Sequence, residues 1–204
     1  MWNLFFTAIV AYLLGSIPFG YLLHRLRVGK DIRTTGSGNI GATNVLRAAG
    51  FLLAAATLLL DAGKGYAAVF FADRMSADSS QAVALAIVLV MAGHCFPIFL
   101  NFRGGKGAAT GMGSFFAVSP IAALVCVLLF AVILAVRHYV SLASMATAGA
   151  FPFVLAASGE RSLPILIASL VGAGLIIARH RDNILRLRNG TESPIWGRRN
   201  NLTE

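Results

Sequence analysis

The chain has 204 residues, of which 57% are hydrophobic and only 12% charged, with a formal net charge of +9. That charged fraction is about half of the quarter usual in soluble domains, and with a mean hydropathy of +0.77 it excludes an ordinary soluble domain and points to an integral membrane protein. The positive charge implies no nucleic-acid partner, because lysine and arginine collect on the cytoplasmic side of membrane proteins and attract anionic lipid head groups or substrates there.

The first apolar run, Trp2 to Leu23, has the length of about 20 residues needed to cross a bilayer core of about 30 Å. No positive residue precedes it and no A-x-A site follows, so it is expected to be a retained span and not a cleaved signal. Next comes "TTGSGNIGATNVLR", Thr34 to Arg47. Gly36, Ser37, Gly38 and Asn39 predict a flexible turn feeding a short helix over Gly41 to Ala49, closed by Gly50. Backbone N–H groups freed by glycine at a helix start make an anion site. Ser37, Thr43 and Asn44 would add side-chain donors, and Arg47 would bring a forked guanidinium suited to phosphate oxygens. Taken alone, the same stretch reads equally well as a connector between two spans.

Phe51 to Ala72 is the second span, with Asp61 and Lys64 near its middle. Charges there are costly and the i,i+3 spacing lets them neutralise each other, so a structural ion pair is expected. A role in holding loops over the site is the alternative. Gln81 to Leu100 is the third span, and His94 near its cytoplasmic end is expected to be structural, bonded to a neighbouring helix.

"GHCFPIFLNFRGGKGAATG", Gly93 to Gly111, repeats the theme of the first loop. Pro97 disturbs the end of the third span, and Arg103-Gly104-Gly105-Lys106-Gly107 opens the next helix. A cation beside the positive end of a helix is unfavourable unless an anion bridges them, which makes Gly105, Lys106 and Gly107 candidates for holding phosphate. A membrane-anchoring lysine is the plainer reading. The Walker A spacing is absent.

Gly111 to Val136 is too long for one ordinary span and is broken by Ser119-Pro120, so it is read as two short ones. Val140 to Ala157 follows, with Ser141 and Ser144 one turn apart and His138 one turn before Ser141. That spacing would suit a serine nucleophile and its base, but no acidic third member is visible, G-x-S-x-G is missing, and serine in a membrane helix is commonly a packing residue. Leu163 to Ala178 is the last span and leads into "RHRDNILRLRNGTE", Arg179 to Glu192. His180, Asn183 and Arg186 would share one face if that helix continues; a basic end lying on anionic lipid is the alternative. Residues from about 193 to 204 are expected to form a loose polar tail, the rest of 1–204 being a single transmembrane domain.

The expectation is therefore an all-α integral membrane protein of seven transmembrane helices, N-terminus outside and C-terminus cytoplasmic. Of the 17 lysines and arginines, fourteen then lie on the inner side, Arg74 and Arg161 outside, and Lys64 within a span; six spans would set the two sides in conflict. This topology brings the cytoplasmic glycine-rich loops together with the other polar clusters at one face. Cys95 and Cys126 fall within spans and offer neither disulfide nor zinc spacing. With no metal-spaced Asp/Glu/His cluster, neither metal nor cofactor is expected.

"GSGNIGATN" with Arg47, "GHCFPIFLNFRGGKGAAT", "RHYVSLAS" and "RHRDNILRLRNGTE", in this order across nearly the whole chain, resemble the bacterial acyl-phosphate:glycerol-3-phosphate acyltransferases of the PlsY type. Ile40, where that family often has proline, and Ala108, where valine is common, are small departures. The resemblance implies a multi-pass enzyme of the bacterial cytoplasmic (inner) membrane with its site facing the cytoplasm. It would move a fatty acyl group from acyl phosphate to the 1-hydroxyl of glycerol 3-phosphate, giving lysophosphatidic acid and inorganic phosphate, with membrane lipids as its surroundings.

Carried over residue by residue, the resemblance implies catalytic roles for Ser37, Lys106, His180 and Asn183, and substrate-binding roles for Gly38, Asn39, Thr43, Asn44, Arg47, Gly105, Gly107, Ser141 and Ser144. Ser37, Thr43, Asn44, Lys106 and Ser144 would face the acyl phosphate; Arg47, His180 and Asn183 would hold glycerol 3-phosphate. The chain lacks the H-x-x-x-x-D sequence of the other large class of glycerol-phosphate acyltransferases. Two other classes use the same basic, glycine-rich features: a transporter for a phosphorylated solute, whose site would lie near the midplane between inverted repeats, and a scaffold for acidic lipids or proteins.

Overall fold

The computed structural model describes residues 2–76 and 79–195, and every regular element among them is helical. The ten α-helices are α1 (Trp2–Ser16), α2 (Phe19–Val28), α3 (Ala42–Ala49), α4 (Phe51–Met75), α5 (Ser80–Cys95), α6 (Ala108–Val118), α7 (Pro120–Arg137), α8 (Val140–Ala157), α9 (Leu163–Arg179) and α10 (Arg181–Arg188). Single 3₁₀ turns stand at Ile32–Thr34 and Ile98–Leu100. Asp78, and the expected tail from Trp196 onward with Arg198 and Arg199, lie outside the described residues.

Among the described residues, five stretches are long and apolar enough to cross a membrane: Leu4–Val28, α4, Ser80–Leu100, α7 and α8. The α9–α10 pair, bent by 56°, passes the same test only when its two helices are taken together as one broken span, which would be a sixth. The expected break at Ser119-Pro120 is present, with the Ser119 hydroxyl accepting from the Ala122 N–H at 3.3 Å to start α7. It leaves α6 only 11 residues long, about 16 Å at 1.5 Å per residue, roughly half of a bilayer core.

The first span departs from expectation. It runs to Val28 in place of Leu23 and is broken in the middle, since Pro18 has no N–H to donate and α1 stops at Ser16. The Ile17 carbonyl, left outside the helical ladder, accepts from Lys64 Nζ at 2.7 Å and from the Phe19 N–H at 3.2 Å. The expected Asp61–Lys64 pair is closed at 2.8 Å, with side chains 3% and 1% exposed. Lys64 thus neutralises Asp61 and caps the broken first span.

Two helix crossings are too tight for anything but glycine. A Cβ on Gly15 would overlap the Val90 carbonyl and one on Gly93 the Tyr12 carbonyl, so α1 and α5 touch backbone to backbone. Gly65 and Gly113 do the same between α4 and α6, against the Thr110 and Ala62 carbonyls. Close approach at small residues is how helices associate where lipid tails are as apolar as leucine. Around α5 lies the core of Ile87, Val90, Met91, Phe115, Phe151, Leu155 and Ile176. A smaller cluster of Ile32, Ile40, Val45, Ala54 and Leu100 underpins the first glycine-rich loop. Outward-facing Leu124, Leu128, Val132 and Val136 leave one side of α7 exposed, as a lipid-facing helix requires.

Candidate active site

The first loop is closed from within. Gly36 and Gly38 sit at φ +59° and +69°, in the left-handed region that favours glycine. Buried Asn44 is the clasp: its Nδ2 donates to the carbonyls of Thr35 and Asn39, both at 2.9 Å, and of Ile32 at 3.3 Å, while its Oδ1 accepts from the Ser37 N–H at 3.0 Å. A Cβ on Gly36 would overlap that oxygen. Asn39 Oδ1 accepts from the Gly41 N–H at 2.8 Å, a local turn just ahead of α3. Asn44 therefore differs from the expectation of a substrate donor, because its amide hydrogens are occupied by loop carbonyls.

The second loop is held from outside. Its Gly104 and Gly105 N–H groups donate to the carbonyls of Cys95 and His94 at 3.3 and 3.0 Å. Its Gly104 and Gly105 carbonyls accept from Arg179 of α9 at 3.2 and 3.1 Å, and that guanidinium also covers the Phe96 ring. Gly107 then turns at φ +84° and α6 begins, which puts Lys106 at the helix start as expected.

Lys106 Nζ donates to Asn183 Oδ1. The amide cannot flip, because Asn183 Nδ2 donates to Glu192 Oε1 at 2.6 Å. Burial pushes the Lys106 ammonium down to about 8. Glu192 is the hub of this end: it also accepts from Ser141 Oγ at 2.6 Å and from Arg186 Nε at 2.7 Å. Burial pushes its carboxyl up, but the bonds from Ser141, Asn183 and Arg186 outweigh burial and hold it below the usual carboxylate range.

His180 stands at the bend between α9 and α10, its Nδ1 2.7 Å from the Ile176 carbonyl. A carbonyl only accepts, so Nδ1 carries the proton, and Nε2 of the neutral ring is left as an acceptor.

These pieces share one cavity of about 830 Å³. Its polar lining comes from Ser37, Asn39, Thr43, Asn44 and Arg47 of the first loop and α3, Lys106 and Gly107 of the second, Ser141 and Ser144 of α8, and His180, Asn183, Arg186 and Glu192 of the last segment. Met112, Phe115, Val127, Phe130, Phe151 and Ile176, deeper along α6 to α9, continue it as an apolar chamber. Of the residues expected to bind substrate, Gly38 and Gly105 do not line the cavity but shape its loops. Of the three expected structural residues, Asp61 and His94 reach its wall and Lys64 does not. His138 also lies off the cavity, and the Ser141 hydroxyl is directed to Glu192. Arg47 lines the cavity and donates to the Ser193 carbonyl at 2.9 Å, while the Ile195 N–H donates to His138 O at 2.8 Å, so the start of the expected tail is tied down.

Sequence reasoning assigned no role to Glu192. Its only signal was an acidic residue closing an arginine-rich segment, nine positions after Asn183, a distance that no helical period connects.

The Glycerol-3-phosphate acyltransferase family model matches residues 5–190. A glycerol-3-phosphate acyltransferase of Geobacter sulfurreducens is 45% identical over 194 residues, covering 95% of this chain and 98% of that one. One from Jannaschia sp. is 46% identical over 191 residues, covering 93% and 91%. The crystal structure of PlsY (YgiH), an integral membrane glycerol 3-phosphate acyltransferase, in its glycerol 3-phosphate form superposes with a TM-score of 0.90 at 40% identity, covering 95% of this chain and 96% of that one. Its lysophosphatidic acid form gives 0.86 at 38%, covering 94% of each.

Proposed function

The chain belongs to the glycerol-3-phosphate acyltransferase family, and from that premise we propose that it moves a fatty acyl group from acyl phosphate to the 1-hydroxyl of glycerol 3-phosphate. The products are lysophosphatidic acid and inorganic phosphate. The observation that carries this reading is the single cavity whose phosphate-compatible lining of Ser37, Thr43, Arg47 and Lys106 passes into an apolar chamber between Met112, Phe115, Phe130 and Phe151. A substrate pair with two phosphates and one long alkyl chain fits that division. The crystallised relatives in their glycerol 3-phosphate and lysophosphatidic acid forms support the acceptor and the lipid product of this reaction.

In this reading Ser37, Thr43, Lys106 and Ser144 hold the acyl phosphate and the oxyanion that develops on its carbonyl. Arg47, His180 and Asn183 hold glycerol 3-phosphate, and the acceptor Nε2 of His180 takes a hydrogen bond from a glycerol hydroxyl. The Lys106–Asn183 contact brings the two groups of residues side by side, so catalysis is mainly orientation. The 1-hydroxyl oxygen attacks the acyl carbon, the carbon–oxygen bond to phosphate breaks, and phosphate leaves with the electron pair. The hydroxyl proton passes to a substrate phosphate oxygen. Ser141 is a poor nucleophile, because its partner Glu192 is stabilised as a carboxylate and takes up a proton reluctantly. Seven spans with the N-terminus outside would put the site at the cytoplasmic face of the bacterial inner membrane, where both substrates arrive, and the basic residues are distributed accordingly.

The test is donor choice. Purified protein with labelled glycerol 3-phosphate is offered palmitoyl phosphate, palmitoyl-CoA and palmitoyl acyl carrier protein in competition. Lysophosphatidic acid formed from the acyl phosphate is the expected result; product from either thioester with none from acyl phosphate overturns the reading.

A further inference from the structure

The reaction as drawn uses neither Asp61 nor His94, yet both are buried and both reach the cavity wall. The His94 ring is a wedge. On one side its Nδ1 stands 3.5 Å from Asp61 Oδ1, the oxygen that Lys64 Nζ contacts at 2.8 Å. On the other, its Nε2, Cε1 and Cδ2 press on Gly105: a Cβ built there would overlap Nε2 and come within 2.8 and 2.9 Å of the two carbons. The backbone of the same histidine accepts the Gly105 N–H at 3.0 Å. Side chain and main chain of one residue therefore hold the peptide next to Lys106.

We infer that Asp61 and His94 are positioning residues for Lys106, the ion cluster of the second span fixing an imidazole against Gly105 so that the lysine stands opposite Asn183. The cluster extends to the break in the first span, where Lys64 caps the Ile17 carbonyl. A continuous set of contacts thus runs from Ile17 through Lys64, Asp61 and His94 to Gly105. Arg179 grips the same loop from its carbonyl side. Buried charge in a membrane helix demands compensation, which Lys64 supplies to Asp61, and the histidine packed beside that pair also sets the geometry of a loop. The inference rests on the proposed role of Lys106 in holding a phosphate.

The test is a size-exchange cycle on the contact, read as kcat/KM with palmitoyl phosphate and glycerol 3-phosphate, with Tm in detergent recorded for each variant. Gly105→Ala forces the wedge and the loop apart and is expected to lower kcat/KM by about 10- to 100-fold, the scale of a misplacement near 1 Å, with little change in Tm. His94→Ala lowers it by loosening the loop. The double variant gives the methyl group the vacated space and is expected to be more active than Gly105→Ala alone. His94→Asn, smaller than histidine and still polar beside Asp61, takes the place of His94→Ala if the latter does not accumulate. Losses that simply multiply in the double variant, or a fully active Gly105→Ala, overturn the inference. Lys106→Ala in the same assay separates the two claims: inactive Lys106→Ala with multiplicative losses removes only the positioning role, whereas active Lys106→Ala removes the role of the lysine itself.

Discussion

The two glycine-rich loops look alike in sequence and are built in opposite ways. The first, from Asp31 to α3, is self-contained: Asn44 draws four backbone groups of its own segment around one amide. The second, from Asn101 to Gly107, contains no such clasp. It borrows backbone partners from the end of α5, guanidinium donors for its carbonyls from Arg179 of α9, and an acceptor for its lysine from Asn183 of α10. A local loop is held by its own sequence, whereas a borrowed one reports the packing of two distant helices, α9 and α10.

The largest effect is expected from Lys106→Ala, where the borrowed loop meets its borrowed partner. With no cation between two anionic substrates in a partly dry cavity, kcat should fall by about 10³-fold; a variant within threefold of the parent breaks the account of that loop. Asn44→Ala should come next. It orphans loop carbonyls and the Ser37 N–H, costs about 1–3 kcal/mol locally, and lowers kcat/KM by about 10–100-fold. If the two loops differ as described, backbone amide exchange will rise across 31–41 in this variant and remain unchanged across 101–107.

Arg179→Ala is the mirror of that experiment, with exchange rising in 101–107 and not in 31–41, and a loss of about tenfold. Equal loosening of both loops by either variant would erase the distinction. A pH profile sharpens it further. Burial holds Lys106 down to about 8, so its ammonium is present below that pH and lost above it. The kcat/KM profile, which reports the free enzyme, should therefore fall through an alkaline limb near pH 8. In Lys106→Arg that limb should disappear whatever activity remains, since the guanidinium does not titrate in this range. The smallest effect is expected from Ser141→Ala, which removes one of three hydrogen bonds to Glu192 and should leave activity within about threefold, a fraction of the net worth of one bond.

Legibility from sequence followed the same division. The break at Ser119-Pro120, the helix starts after Gly41 and Gly107, and the Asp61–Lys64 pair are local and follow from spacing and proline chemistry. The kink at Pro18 was just as local, but an uninterrupted apolar run concealed it. Lys64 at the Ile17 carbonyl, 47 residues away, could not be read at all. Asn44 was picked out for the right loop with a different task, because the carbonyls that occupy it become neighbours only once the turn has formed. Glu192 escaped for the same reason: Ser141, 51 residues earlier, is brought to it only by the return of the last segment onto α8.

The central claim is direct transfer between two substrates in one cavity, without an acyl-enzyme. It is tested most directly by the intact mass of the protein quenched after mixing with palmitoyl phosphate, with and without glycerol 3-phosphate. The account predicts an unmodified mass in both cases, with phosphate released stoichiometrically with product only when the acceptor is present. A palmitoyl ester on any serine, accompanied by phosphate release in the absence of acceptor, would contradict it.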